Sequence, residues 1–176
     1  VAMPAMVDPH FQGAVVYVCE HGDKGALGLV INRPTELTLA RLFDQVALKL
    51  EIAVLREMPV YFGGPVQKER GFVLHQPCGA AYSSSLEINA ELALTTSKDV
   101  LEDVSRGQGP QRMLVTLGYA GWGQGQLERE VADNAWLTVP ADVSIIFDLP
   151  AKDRFSAALG LLGIDPLQLS GQVGHA

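Results

Sequence analysis

The stretch from Met113 to Leu137 limits the fold more than any other. The apolar run Met113–Leu117 reads as a buried strand. It feeds into Gly118-Tyr119-Ala120-Gly121-Trp122-Gly123-Gln124-Gly125, four glycines in eight residues. An acidic helical pattern follows, with Leu127 and Val131 at inward spacing, and ends beside Trp136. Strand, glycine-rich turn and helix is the layout of an anion cradle, because main-chain N–H groups at a helix N-terminus attract phosphate or carboxylate. The spacing matches no phosphate-loop or dinucleotide fingerprint, and no Lys follows where a phosphate would need one. Glu128 and Glu130 complement the helix dipole and would repel a bound phosphate. The stretch therefore reads as a tight turn that lets Trp122 pack into the core.

The rest of the chain must supply partners for that strand. Ala14–Cys19 and Leu27–Ile31 are apolar on both faces and joined by a polar turn, as in a hairpin of buried strands. Val1–Met6 reads as the tail of a further strand. Pro34 stops the hairpin, Thr38 caps a helix carrying Leu39, Leu42, Phe43 and Val46, and Leu48–Met58 is ambiguous. Short strands are expected at Val60–Phe62, at Phe72–Leu74 closing at His75, and within Leu86–Thr95. Ser97 then caps a helix that Gly107 ends. Ala135–Val139 and Val143–Phe147 read as two more strands. A final helix from Ala151 buries Phe155, Ala158, Leu159 and Leu162, and Ser170–Ala176 is a tail. Strands in neighbouring pairs, with helices between the groups, point to an α+β domain with a mixed or largely antiparallel sheet.

With 48% hydrophobic and 19% charged residues, the 176-residue chain is globular and long enough to form one domain, residues 1–176. Its formal net charge of -7 argues against nucleic acid as the main partner. Two unlinked cysteines, Cys19 and Cys78, with no basic-then-apolar opening segment and no membrane-length apolar run, point to a reducing, cytoplasmic setting.

No metal or cofactor signature emerges. His10, His21, His75 and His175 have no HxxxH or HxH spacing, and the cysteines no CxxC interval. Ser83-Ser84-Ser85 are clustered hydroxyls with no nucleophile-elbow context. His75, at a strand end, reads first as a histidine hydrogen-bonded to backbone, and alternatively as a proton shuttle beside a carboxylate. Gly63-Gly64-Pro65 is a sharp bend that either reverses the chain or brings N–H groups to a ligand. Two classes of function stay open. One is a binding or regulatory module whose groove, lined by Asn32, Gly63, Gly64, His75, Gly118, Trp122 and Gln126, takes a small molecule or peptide. The other is a hydrolytic or redox enzyme using His75 with Glu128 or Glu130.

The ordered motifs Met3-Pro4, Glu20-His21, Gly25–Pro34, Gly63–Val66, Arg70–His75, Thr96-Ser97 with Asp99, Gly118–Trp122, Gly125–Glu128 with Glu130, Asn134–Leu137 and Gly174-His175-Ala176 resemble the AlgH/YqgE family of bacterial proteins. The resemblance implies a single α+β domain with a complex, bifurcated, largely antiparallel sheet that includes a small barrel-like part, flanked by helices. It also implies a bacterial cytoplasmic protein with a short strand ahead of Met3-Pro4. Members are often labelled transcriptional regulators, and the family's biochemical activity is unsettled. The acidic charge and the lack of a helix-turn-helix pattern here oppose direct DNA binding. Some members carry a Cys where this chain has Val139, so a thiol role there does not carry over.

Overall fold

The computed structural model describes residues 1–170. Two compact units emerge, one of Val1–Arg33 with Ala120–Ala176, the other Pro34–Tyr119. The first holds the expected hairpin, β1 (Val16–Gly22) against β2 (Gly25–Val30), in antiparallel register from Val16–Val30 to Gly22–Gly25. A bulge between Val18 and Glu20 shifts that register.

In the second unit β3 (Pro34–Thr38) leads into α1 (Leu39–Gln45), whose first turn Thr38 caps by accepting from the Arg41 N–H at 3.3 Å. Pro34 therefore opens a strand as well as ending the hairpin. After a 3-10 turn at Ala53–Leu55 come β4 (Pro59–Phe62), β5 (Val66–His75), β6 (Ser85–Glu87), β7 (Ala93–Thr95), α2 (Asp99–Ser105) and β8 (Met113–Trp122). The strand order is β3–β4–β8–β5–β7–β6, antiparallel throughout except β4 with β8. Leu39, Phe43, Val60, Val100 and Val115 lie in the core between this sheet and its helices.

The sheet branches at β8. Over Thr116–Leu117 its partners are β4 and β5, whereas Ala120–Trp122 pairs with β2. The α+β class and the largely antiparallel, bifurcated sheet stand as expected.

The first unit continues with α3 (Gln126–Ala132), α4 (Val143–Phe147), α5 (Ala151–Gly160) and α6 (Pro166–Ser170). Several local expectations are corrected here. Val143–Phe147 is a helix, not a strand. Asp142 accepts from the N–H groups of Ser144 and Ile145 at 2.8 and 3.3 Å, and a capped turn that buries Ile145 and Ile146 outweighs the strand preference of its branched residues. Neither Ala135–Val139 nor Val1–Met6 forms a strand. They meet in one bridge, Ala2 with Trp136, flanked by Met3 N–H to Ala135 O and Leu137 N–H to Val1 O. Leu162, beyond the end of α5, is 42% exposed, while Arg154 on that helix, 4% exposed, turns inward and donates to the carbonyls of Ile31 and Leu149. Ser97 is not a helix cap: its hydroxyl donates to Asp99, which also receives the N–H groups of Ser83 and Val100. The expected tail and the closing Gly174-His175-Ala176 lie outside the described residues.

Candidate functional site

The glycine-rich stretch is mostly strand. β8 runs unbroken through Gly118 to Trp122, and the turn occupies only Gly123–Gly125, with Gly125 at φ +68° ahead of α3. The side chain of Gln126 folds back so that its Oε1 accepts from the Gly123 N–H at 2.9 Å. The N–H that an anion would use is thus taken by the protein's own amide.

One turn further along α3, Glu130 reaches under the sheet. Its Oε2 accepts from the indole N–H of Trp122 and from that of Trp136, both at 2.8 Å, and its Oε1 from the Gln126 amide at 3.0 Å. Two buried indoles, each with a single donor, are satisfied by one carboxylate. The rings meet edge-on at 5.9 Å between centroids, and Phe11 stacks on Trp122 at 6.2 Å and meets Trp136 edge-on at 5.4 Å. Helix α3 thereby fixes both tryptophans against Ala2, Ala120 and Leu127.

The two rings form one wall of a cavity of about 240 Å³ within the first unit. Val16 and Val18 of β1, Val131 of α3, Val139, and Ile145 and Ile146 of α4 complete much of the lining. Among the described residues, Asp142 carries the only charged side chain that lines it, and that carboxylate is committed to the α4 N-terminus. No Lys, Arg or His side chain among the described residues faces the space. Such a wall excludes ions and favours apolar groups.

The remaining expected site residues fall elsewhere or have other work. Asn32 clamps the loop before β1, accepting from Val15 N–H at 2.8 Å and donating to Gly13 O at 2.9 Å. Glu128 is exposed and pairs with His21 Nε2 at 2.5 Å. Hydrogen bonds in its own helix turn and from His21 hold its carboxyl below the ordinary value. Gly63, Gly64 and Gly118 lie in the second unit, where two main chains approach each other. A Cβ on Gly118, at φ +76°, would stand 2.3 Å from Gly64 O, and one on Gly63 the same distance from Gly118 O. Close backbone approach accounts for Gly63 and Gly118. His75 is buried, with Nδ1 bonded to Gln76 O and Nε2 to Thr95 Oγ1, both at 2.8 Å. Both ring nitrogens are engaged within the second unit, while Glu128 and Glu130 have their partners within the first.

Of the expected residues only Trp122 lines the cavity, and Val139, Ile145 and Ile146 were not among them. The capping Asp142 ahead of VSIIF was the available signal.

A family model described as AlgH-like matches residues 1–167. The chain belongs to that AlgH-like family. A UPF0301 protein of Ralstonia nicotianae is 64% identical over 176 residues, covering all of this chain and 92% of the relative. One from Burkholderia vietnamiensis is 62% identical at the same coverage. Among solved structures, the solution structure of the AlgH protein from Pseudomonas aeruginosa is 51% identical, covers 100% of this chain and 93% of its own, and superposes with a TM-score of 0.81. Protein DIP2367 from Corynebacterium diphtheriae shares the fold at 19% identity, with a TM-score of 0.73 over 96% of this chain and 87% of its own. The AlgH-like relatives' names specify no activity.

Proposed function

We propose that this AlgH-like protein is a binding module for a small, neutral, apolar molecule, held in the cavity beside Trp122 and Trp136. The observation that carries the reading is the lining. Among the described residues the space is walled mainly by aliphatic and aromatic side chains, has no cationic side chain to meet a carboxylate or phosphate, and its one carboxylate is already bonded to the α4 N-terminus. At about 240 Å³, it has room for roughly eight non-hydrogen atoms at the ~30 Å³ that a water takes in the liquid. That suits one aromatic ring or a medium-length alkyl chain. Burying eight methylenes at about 0.8 kcal/mol each sets a limit near 6 kcal/mol, a Kd of tens of micromolar at best.

The module acts in the cytoplasm, in keeping with its two free cysteines. Any effect on transcription runs through a protein partner, because a net charge of -7 opposes a phosphate backbone. The test uses the chain's only two tryptophans, both in the cavity wall. Titration of the full natural chain with octan-1-ol should shift the tryptophan emission, and octanoate at the same concentration should not. No shift with octan-1-ol, or an equal shift with both, would end this reading.

A further inference from the structure

His75 sits at the end of a chain of hydroxyls in the second unit. Its Nε2 is 2.8 Å from Thr95 Oγ1, and Thr95 Oγ1 is 2.9 Å from Ser85 Oγ. His75 and Thr95 are buried, at 2% and 0% exposure, whereas Ser85 is exposed. The direction of the protons follows from the far end. Gln76 O can only accept, so His75 Nδ1 carries the hydrogen. Burial lowers the His75 pKa below its ordinary value, against the opposing bond to Gln76, which keeps the ring neutral and leaves Nε2 with a lone pair. Thr95 must then give its one hydrogen to Nε2, and Ser85 must give its own to Thr95. The ordinary reading of a buried histidine accounts for its two bonds. It does not account for a relay that ends on an exposed oxygen whose proton is aimed at a hydroxyl bonded in turn to a base.

We propose that Ser85 is a nucleophile toward small activated carboxylic esters, with Thr95 and His75 as the residues that take up its proton. Ser85 Oγ bonds to the acyl carbon while its proton moves to Thr95 and that of Thr95 to His75 Nε2. The alcohol leaves with the proton that His75 returns through Thr95. A water then attacks the acyl-Ser85 ester, giving its proton to Thr95 as Thr95 gives its own to His75 Nε2; the same proton returns through Thr95 to Ser85 Oγ as the acyl–oxygen bond breaks and the carboxylic acid is released. The main chain fits this role. Thr96 N–H bonds Ser84 O and Ile88 N–H bonds Leu92 O, so the N–H groups of Ser85 and Glu87 face away from β7. Strand β6 ends the strand order among the described residues, which leaves that edge open to a developing oxyanion.

Ser83 and Ser84 provide the internal control. They are exposed too, but the Ser83 hydroxyl donates to Asp99 and that of Ser84 pairs with Thr96. The full chain would be treated with a fluorophosphonate, which places phosphorus on the attacked oxygen and releases fluoride, and the adduct located by peptide mass spectrometry. The expected result is one adduct on Ser85, at least ten-fold over Ser83 and Ser84, and none at this loop in Ser85→Ala. Thr95→Ser, which keeps the hydroxyl, should label at close to the native rate, and Thr95→Val at least ten-fold more slowly. Equal labelling of the three serines, or no label on Ser85 in the folded native chain, overturns the proposal without needing any variant to fold. Undiminished labelling of Thr95→Val overturns the relay as well. The three residues lie in Pro34–Tyr119, so these outcomes are separate from those of the cavity.

Discussion

Replacing Glu130 by alanine would strip the two tryptophans of their shared acceptor. Trp122 and Trp136 are each 6% exposed, and both indole N–H groups go to one carboxylate oxygen at 2.8 Å. A buried donor left without a partner costs about 1–3 kcal/mol, and two are orphaned at once. Glu130 is itself only half-buried, so water can reach part of the space it leaves. The expected loss for Glu130→Ala is therefore about 2–4 kcal/mol. Glu130→Gln keeps one oxygen for both indoles but sets a second amide donor against that of Gln126, which can turn to accept only by giving up the Gly123 N–H, so its cost should be near 1 kcal/mol. Urea unfolding followed by far-ultraviolet circular dichroism gives both numbers, and tryptophan emission reports the indole environment directly. Glu130→Ala within 0.5 kcal/mol of the native chain, with unshifted emission, would refute the claim that this carboxylate holds the cavity wall.

Other substitutions probe separate parts of the account. Gly118→Ala combines a left-handed φ with a Cβ 2.3 Å from Gly64 O and should cost more than about 3 kcal/mol, whereas Gly71→Ala, with open space at its Cβ, should stay within about 0.5; paired urea melts compare them. Asp142→Ala removes the α4 cap and should cost about 1 kcal/mol, seen as a lower urea midpoint at unchanged slope. Iodoacetamide at pH 8 should modify exposed Cys78 and spare Cys19, whose thiol burial pushes up to about 12; two adducts on the folded chain would contradict that burial. The unfolded Cys19 thiol ionises near its ordinary 9.0, so this contribution is intact below pH 9 and fades as pH climbs toward about 12. Partial burial raises the Asp99 carboxyl, but hydrogen bonds from Ser97, Ser83 and Val100 outweigh it and leave the pKa lowered. Its stabilising contribution is therefore present above the ordinary aspartate value and lost as pH falls below it, a loss that acid titration of Asp99→Ala should not show.

The parts of the fold legible in the sequence were those where one local signal agreed with burial. The β1–β2 hairpin announced itself as two apolar, branched runs around a polar turn, and Thr38 as a cap ahead of Leu39, Leu42 and Phe43. Misreadings came where tertiary contacts decided. VSIIF has strand propensity, yet Asp142 and the burial of Ile145 and Ile146 make it helical. Arg154 broke an apolar stripe because the Ile31 carbonyl needed a donor from across the unit. Of the residues lining the cavity, only Trp122 was expected, from its flanking glycines. Its sharing of Glu130 with Trp136 had no local signal, since Trp136 reaches Glu130 through the segment bridged to Ala2. Likewise, no spacing rule links Ser85 and Thr95 to His75; the register of β6, β7 and β5 does.

The most direct test of the cavity is to fill it. Ala158, 2% exposed on α5, lines the space, and Ala158→Leu would place three more carbons there. If the cavity is the ligand site, this folded variant should lose octan-1-ol binding at least ten-fold, read as the change in Trp122 and Trp136 emission, with its urea midpoint close to native. Octan-1-ol binding with unchanged affinity in a folded Ala158→Leu chain would contradict the account.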